Sequence, residues 1–228
     1  MRTKILLASA AALAAGVFAS NAQVYSANIV GYVNVPLTGG YNLVANPLDD
    51  NNGDQLTNLL TTLPNKAQVV TWNGTGFNTA ITYNSSSGWG SNIQLPPGVG
   101  FFIKNGIASS PVLTNTFVGQ VGVGGYAVGQ ANTNNGTASG GSLAAGYALA
   151  GSYFPYSGDA TVDTTNIALT QVLATKSQLI SWNTAGQTYN SADVKGASGW
   201  GSSFTINPGQ GFFIKAQTAG SNWVQTLQ

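Results

Sequence analysis

Two stretches of this chain are nearly the same text, and that repetition limits the folds open to it more than any other feature. Ser87-Gly88-Trp89-Gly90-Ser91, followed by Leu95-Pro96-Pro97-Gly98-Val99-Gly100-Phe101-Phe102-Ile103-Lys104, returns as Ser198-Gly199-Trp200-Gly201-Ser202 and Ile206-Asn207-Pro208-Gly209-Gln210-Gly211-Phe212-Phe213-Ile214-Lys215. In each copy Pro-Gly supplies the fixed φ and then the positive φ of a type II turn, and Gly-Phe-Phe-Ile-Lys reads as the strand that leaves it. Side chains alternate along a strand, so Phe101 and Ile103 share one face while Phe102 and Lys104 share the other. The same alternation marks Phe212 and Ile214 as core.

The repeat extends upstream. Gly40-Tyr41 matches Gly146-Tyr147, Leu59 and Leu63 match Leu169 and Leu173, and Gln68-Val69-Val70-Thr71-Trp72-Asn73 matches Gln178-Leu179-Ile180-Ser181-Trp182-Asn183. The opening strand within Val24 to Leu37 carries Asn28-Ile29-Val30-Gly31-Tyr32-Val33, which is similar to Thr116-Phe117-Val118-Gly119-Gln120-Val121. Leu56, Leu59, Leu60 and Leu63 fall at helical spacing, with Asp54 as N-cap and Pro64 as stop, and predict a short amphipathic helix. Asn73-Gly74 predicts a hairpin that returns through Phe77 and Ile81. Asn222-Trp223-Val224-Gln225 reads as a last strand, closing the second copy as Thr116 to Val121 closes the first. The expected fold is all-β: two homologous β-sandwich or barrel-like halves in tandem, each with one short helix. The halves span 23–115 and 116–228, with an Asn, Gly, Thr and Ser-rich surface loop inserted at 124–141.

Arg2 and Lys4, an apolar run from Ile5 to Phe18 and the small-residue site Ser20-Asn21-Ala22 together have the form of a secretory signal peptide over residues 1–22. An exported chain with no cysteine must draw its stability from buried apolar area and strand pairing. Removing Arg2 and Lys4 from the seven basic residues leaves five lysines against six aspartates, without Glu or His. Such sparse charge argues against nucleic acid or an anionic membrane as partner. It suits self-association, contact with other envelope proteins or contact with neutral polymers such as polysaccharide.

Catalysis by the usual acid–base, nucleophilic or metal-assisted routes draws on His, Cys and Glu, and this chain has none of them. Its aspartates do not fall at matching strand ends in the two copies, as a carboxylate pair built from the repeat would require. The chain is therefore expected not to be an enzyme. Asp50, Asn52 and Asp54 alternate like the first ligands of a calcium loop, although Gly53 is out of place for one and no bidentate Glu follows. The other reading of that loop is a helix-capping turn. Trp89 and Trp200 sit between glycines, where a ring can stack on a sugar face with Tyr83 and Tyr189 supplying hydrogen bonds. The same glycines also suit a ring packed beneath its loop.

Val24-Tyr25-Ser26-Ala27-Asn28-Ile29-Val30-Gly31-Tyr32-Val33-Asn34, then Asn42-Leu43-Val44-Ala45-Asn46-Pro47-Leu48, then Gly88-Trp89 and Pro97-Gly98-Val99-Gly100-Phe101-Phe102-Ile103, resemble a group of duplicated secreted proteins. These occur in many copies in bacteria of the verrucomicrobial and planctomycete type. The order Asn-Leu-Val, Asn-Pro-Leu, Trp, Pro-Gly-x-Gly-Phe-Phe is more distantly similar to β modules at the ends of bacterial surface and adhesion proteins. The resemblance implies export and a β-rich envelope or matrix setting, and it brings no catalytic residues with it. The expected role is a non-catalytic structural or adhesive one at the cell surface or in the extracellular matrix, with a carbohydrate-binding module as the alternative.

Overall fold

The computed structural model describes residues 30–106, 112–121 and 143–219, together with Trp223 and Gln225. The expected signal peptide, the expected loop insertion at 124–141 and most of the last expected strand lie outside the described residues. What is described is predominantly β. Strand β1 (Val30–Leu37) pairs antiparallel with β7 (Leu113–Gln120) over eight residues each, from Val30 opposite Gln120 to Leu37 opposite Leu113. This ribbon covers a five-stranded antiparallel sheet ordered β2 (Gly40–Ala45), β6 (Gly100–Asn105), β3 (Gln68–Val70), β4 (Ile81–Asn84) and β5 (Gly88–Trp89). The 115/116 boundary read from the repeat falls inside β7, and Phe117 is buried beside Leu37 in the cluster under this first sheet.

A second five-stranded sheet is ordered β8 (Gly146–Gly151), β16 (Gly211–Ala216), β10 (Gln178–Ile180), β13 (Asp193–Gly196) and β14 (Gly199–Trp200). Short ladders join β11 (Trp182–Asn183) to β12 (Thr188–Tyr189), and β9 (Gly158–Asp159) to β15 (Thr205–Ile206). The register matches across the two five-stranded sheets. Tyr41 lies opposite Lys104 as Tyr147 lies opposite Lys215, and Val70 opposite Phe102 as Ile180 lies opposite Phe213. Both Pro-Gly turns form as the dipeptides require. Gly98 has φ +85° with Val99 N–H bonded to Pro96 O, and Gly209 has φ +76° with Gln210 N–H bonded to Asn207 O. Both sheets are open, with β2 and β5 at the margins of one and β8 and β14 at the margins of the other, which corrects the barrel-like expectation. Closure needs a shear and a strand length that three-residue β3 and β10 do not supply.

The helices are shorter than the leucine spacing predicts: α1 is Leu56–Leu59 and α2 is Leu169–Val172. Leu56, Leu59, Leu60 and Leu63 are nonetheless all buried, so the apolar pattern finds its core even where the helical hydrogen bonds stop. Asp54 does not cap α1. Gln55 takes that position without a side-chain capping bond, while Asp54 turns back at φ +49° into the preceding loop. Core clusters lie beneath each sheet, one around Leu37, Phe101, Ile103 and Phe117, the other around Phe212, Ile214, Phe204 and Trp223. Trp223 donates its indole N–H to Ile167 O, and Gln225 accepts from Tyr153 N–H at 2.8 Å.

The opposite faces of the two sheets meet. Leu43, Phe102, Leu149 and Phe213 form a third buried cluster, with Tyr41, Val70, Trp72, Ile180 and Trp182 packed against it. Two pairs of polar contacts along this seam are reciprocal, and Gln187 adds one-sided bonds, accepting from Tyr41 N–H at 2.6 Å and donating to Tyr41 O at 3.1 Å. Trp72 Nε1 donates to Tyr147 O at 3.0 Å and Trp182 Nε1 to Tyr41 O at 2.7 Å, while Ala45 N–H donates to Gly209 O at 3.0 Å and Gly151 N–H to Gly98 O at 2.9 Å. The backbones approach so closely that a Cβ on Gly100 would lie 2.8 Å from Ala150 N, and one on Gly211 would lie 2.6 Å from Val44 O. Gly100→Val and Gly211→Val should therefore each destabilise the chain by about 1–3 kcal/mol, read as a lower denaturant midpoint at unchanged slope. Gly76→Ala, where the added atom meets nothing within 4 Å, should stay within about 0.5 kcal/mol of the parent.

Candidate functional site

The rows of side chains that reach the seam continue past its buried centre into an aromatic cleft. Tyr41, Phe102 and Val70 come from β2, β6 and β3 of the first sheet, and Tyr147, Phe213 and Ile180 come from β8, β16 and β10 of the second. Trp72 and Trp182 follow β3 and β10 directly. Each folds over the other sheet, because its indole N–H is bound to the carbonyl of that sheet's tyrosine. The return segments after these tryptophans bring in Phe77, bridged to Trp72, and Tyr189, paired with Trp182.

Two cavities result. One of about 310 Å³ is lined by Tyr41, Val70, Phe77, Phe102, Trp182 and Tyr189. The other, of about 370 Å³, is lined by Tyr147, Ile180, Tyr189, Phe213, Trp72 and Phe77, with Asn190 and Ala192 at its margin. Exchanging each residue for its counterpart in the repeat turns the first lining into the second. Phe77 and Tyr189 line both cavities and stand between them, each edge-on to Phe102 and Phe213 at 5.7–6.4 Å between ring centres. Phe77 is 47% exposed, and Tyr147 and Tyr189 are each 42% exposed. Rings with this much open surface offer π-faces and CH edges to a ligand. Burial also raises the Tyr189 phenol above its ordinary value, so it stays a hydrogen-bond donor through neutral pH. At the outer ends Lys104 lies 5.4 Å from the Tyr41 ring centre and Lys215 lies 5.3 Å from that of Tyr147.

Of the aromatic residues singled out in the sequence, Trp89 and Trp200 are half-buried and serve the small helices. Trp89 donates to Leu60 O at 3.3 Å, and Trp200 donates to Thr170 Oγ1 at 3.0 Å. Tyr83 lies across the ladder from Trp89, ring centres 5.3 Å apart. Tyr189 does not hold the equivalent place. Lys195 lies across from Trp200 and caps α2, donating to Thr170 O at 2.6 Å and Leu173 O at 2.7 Å, while Tyr189 lies in the seam cleft as the counterpart of Phe77. The sequence had signalled this cleft only through the recurrence of Trp72 and Trp182. Tyr189 was a candidate by its place near Trp200, but its correspondence with Phe77 was hidden because the loops before them differ in length.

The loop before α1 brings Asp49, Asp50 and Asp54 together, one carboxylate oxygen of each lying within 4.8 Å of the others. Asp49 was absent from the reading based on alternation, and Asn52 contributes its backbone N–H to Asp50 Oδ1 at 2.7 Å. The carboxylates brace the loop. Asp50 Oδ1 also accepts from Asp54 N–H at 2.8 Å, and Asp54 Oδ1 accepts from Asp50 N–H and Asn46 Nδ2, both at 3.1 Å. Burial is the main force raising Asp54 to about 6, with the charges of Asp49 and Asp50 adding to it. In the second copy Asp159 goes the other way, to about 2. Burial alone would raise it, but hydrogen bonds from Ser203, Thr161 and Phe204 to its carboxylate prevail. Comparison with known proteins returns no match to a family model, to a curated protein or to a solved structure.

Because the folded chain keeps the Asp54 proton up to about pH 6 and the unfolded chain releases it near pH 4, stability is highest below that window and falls as pH rises through it. The loss should reach up to about 3 kcal/mol, and Asp54→Asn should remove it, flattening denaturation midpoints between pH 4 and pH 7. Trp89→Ala and Trp200→Ala should each lower stability by about 2–3 kcal/mol, seen in thermal unfolding with no ligand added.

Proposed function

We propose that this chain is an exported, non-catalytic adhesive protein of the cell surface or extracellular matrix, formed by tandem duplication, with the aromatic cleft between its halves as the contact surface. The exposed rings of Phe77, Tyr147 and Tyr189 carry this reading, since they line cavities of ligand size that no part of the described chain fills. Tandem duplication is supported by the matched strand order and register of the two sheets and by the reciprocal seam bonds. The non-catalytic part rests on the absence of His, Cys and Glu and on the use of Asp50, Asp54, Asp159 and Asp163 to brace loops. Export rests on the signal-peptide pattern of the first residues and on the resemblance to secreted duplicated proteins.

A second reading, self-association along the β1–β7 ribbon, is favoured by Tyr32 and Val118. These two lie across from each other on its outer side, 71% and 56% exposed. The two readings separate experimentally. The purified chain should bind the native envelope fraction, and the Phe77→Ala/Tyr189→Ala double variant, still folded by circular dichroism, should bind at least about tenfold more weakly. Retained binding in that variant, together with concentration-dependent oligomers abolished by Tyr32→Ser, would transfer the contact surface from the cleft to the ribbon.

A further inference from the structure

Each end of the aromatic cleft is finished by the same row of cross-strand neighbours. In the first sheet Tyr41, Lys104 and Gln68 stand side by side on β2, β6 and β3, and in the second Tyr147, Lys215 and Gln178 do so on β8, β16 and β10. Alternation places all six on the face that carries Phe102 and Phe213, so each row borders the cleft directly. None of these side chains is committed elsewhere. Among the described residues Lys104 and Lys215 meet only their tyrosine rings, and Gln68 and Gln178 make no side-chain hydrogen bond.

The charge on this face has one sign. Asp49, Asp50 and Asp54 lie in the loop before α1, and Asp159 and Asp163 lie in the loop before α2. Asp193 lies across from Leu179, on the buried side of its sheet. Among the described residues the cleft therefore presents two ammonium groups and no carboxylate. Aromatic surface between two such ends matches a polymer that alternates apolar ring faces with regularly spaced anions. The glutamines and tyrosine hydroxyls beside the lysines match its hydroxyl groups. The two indole N–H groups are already spent on the seam, so the cleft's hydrogen-bonding groups are the Tyr189 hydroxyl at its middle and the two rows at its ends.

We infer that the cleft binds an acidic polysaccharide, its sugar faces against Phe77, Tyr189 and Tyr147 and its carboxylate or sulfate groups at Lys104 and Lys215. This rests on the reading of the cleft as the adhesive surface. An ammonium–anion contact on a partly exposed face gains strength from hydrogen bonding and loses it with salt.

The test is titration calorimetry of the chain with polygalacturonate, alginate and a sulfated galactan, each beside a neutral partner: methyl-esterified polygalacturonate, a neutral β-glucan and the desulfated galactan. Binding to at least one acidic polymer is expected, weakened about tenfold in its neutral partner, in the Lys104→Gln/Lys215→Gln double variant and in 0.5 M salt. Phe77→Ala/Tyr189→Ala should abolish it, and circular dichroism should show all variants folded. Equal binding of charged and neutral polymers would overturn the acidic specificity and leave a cleft that binds sugars. No binding to any polysaccharide, with envelope adhesion still sensitive to Phe77→Ala/Tyr189→Ala, would overturn the glycan and point to a protein or lipid partner. Adhesion insensitive to that variant would sink the cleft itself.

Discussion

The close approach of two sheet backbones at the seam is the constraint on which the other features rest. A β-sheet with one wet face would leave Phe102, Leu43, Phe213 and Leu149 in water. Here each sheet supplies the cover for the other. The contact tolerates no side chain at Gly100 or Gly211, and Trp72 and Trp182 reach across to bond carbonyls of the opposite sheet. Because the bonds are reciprocal, displacing one side of the seam disturbs both.

That arrangement explains why the aromatic residues divide into two populations. Those on the inner faces, Phe101 and Phe212, are fully buried beneath the sheets with Ile103 and Ile214 beside them and stabilise each sheet by area alone. Those on the seam face divide between buried Phe102 and Phe213 and the partly exposed Phe77, Tyr147 and Tyr189 around them. The cleft lies among these partly exposed rings. Its rings are held edge-to-face by neighbours in both sheets, so they are positioned before any ligand arrives, which lowers the ordering cost of binding.

Charge plays a supporting part of a different kind. With no disulfide available, the irregular loops ahead of the two short helices are tied by carboxylates that collect backbone N–H groups, as at Asp50, Asp54, Asp159 and Asp163. The opposite displacements of Asp54 and Asp159 show how much the surroundings matter. Asp54 is buried beside two like charges, whereas Asp159 has enough donors to hold its ionised form. Most of the few ions in the chain are thus structural, and Lys104 and Lys215 stand apart from them.

The features legible from residue order were those governed by short-range sterics and period. Pro97-Gly98 and Pro208-Gly209 set their turns because no other dihedral pattern suits the pair, and the alternation Phe101, Ile103 identified the inner face because strand side chains repeat every two residues. The leucines after Asp54 found the core, yet the cap was misassigned, since Asp54 is held in its loop by the Asn46 amide, which also binds Leu95 O from a segment distant along the chain. Alternation names two faces but is silent on what covers the second. Whether Phe102 and Phe213 met water, a helix or each other depended on how two sheets far apart in sequence would dock. The pairing of Tyr189 with Phe77 and the row of Tyr, Lys and Gln at each end of the cleft came from that docking and from register, which no local propensity encodes.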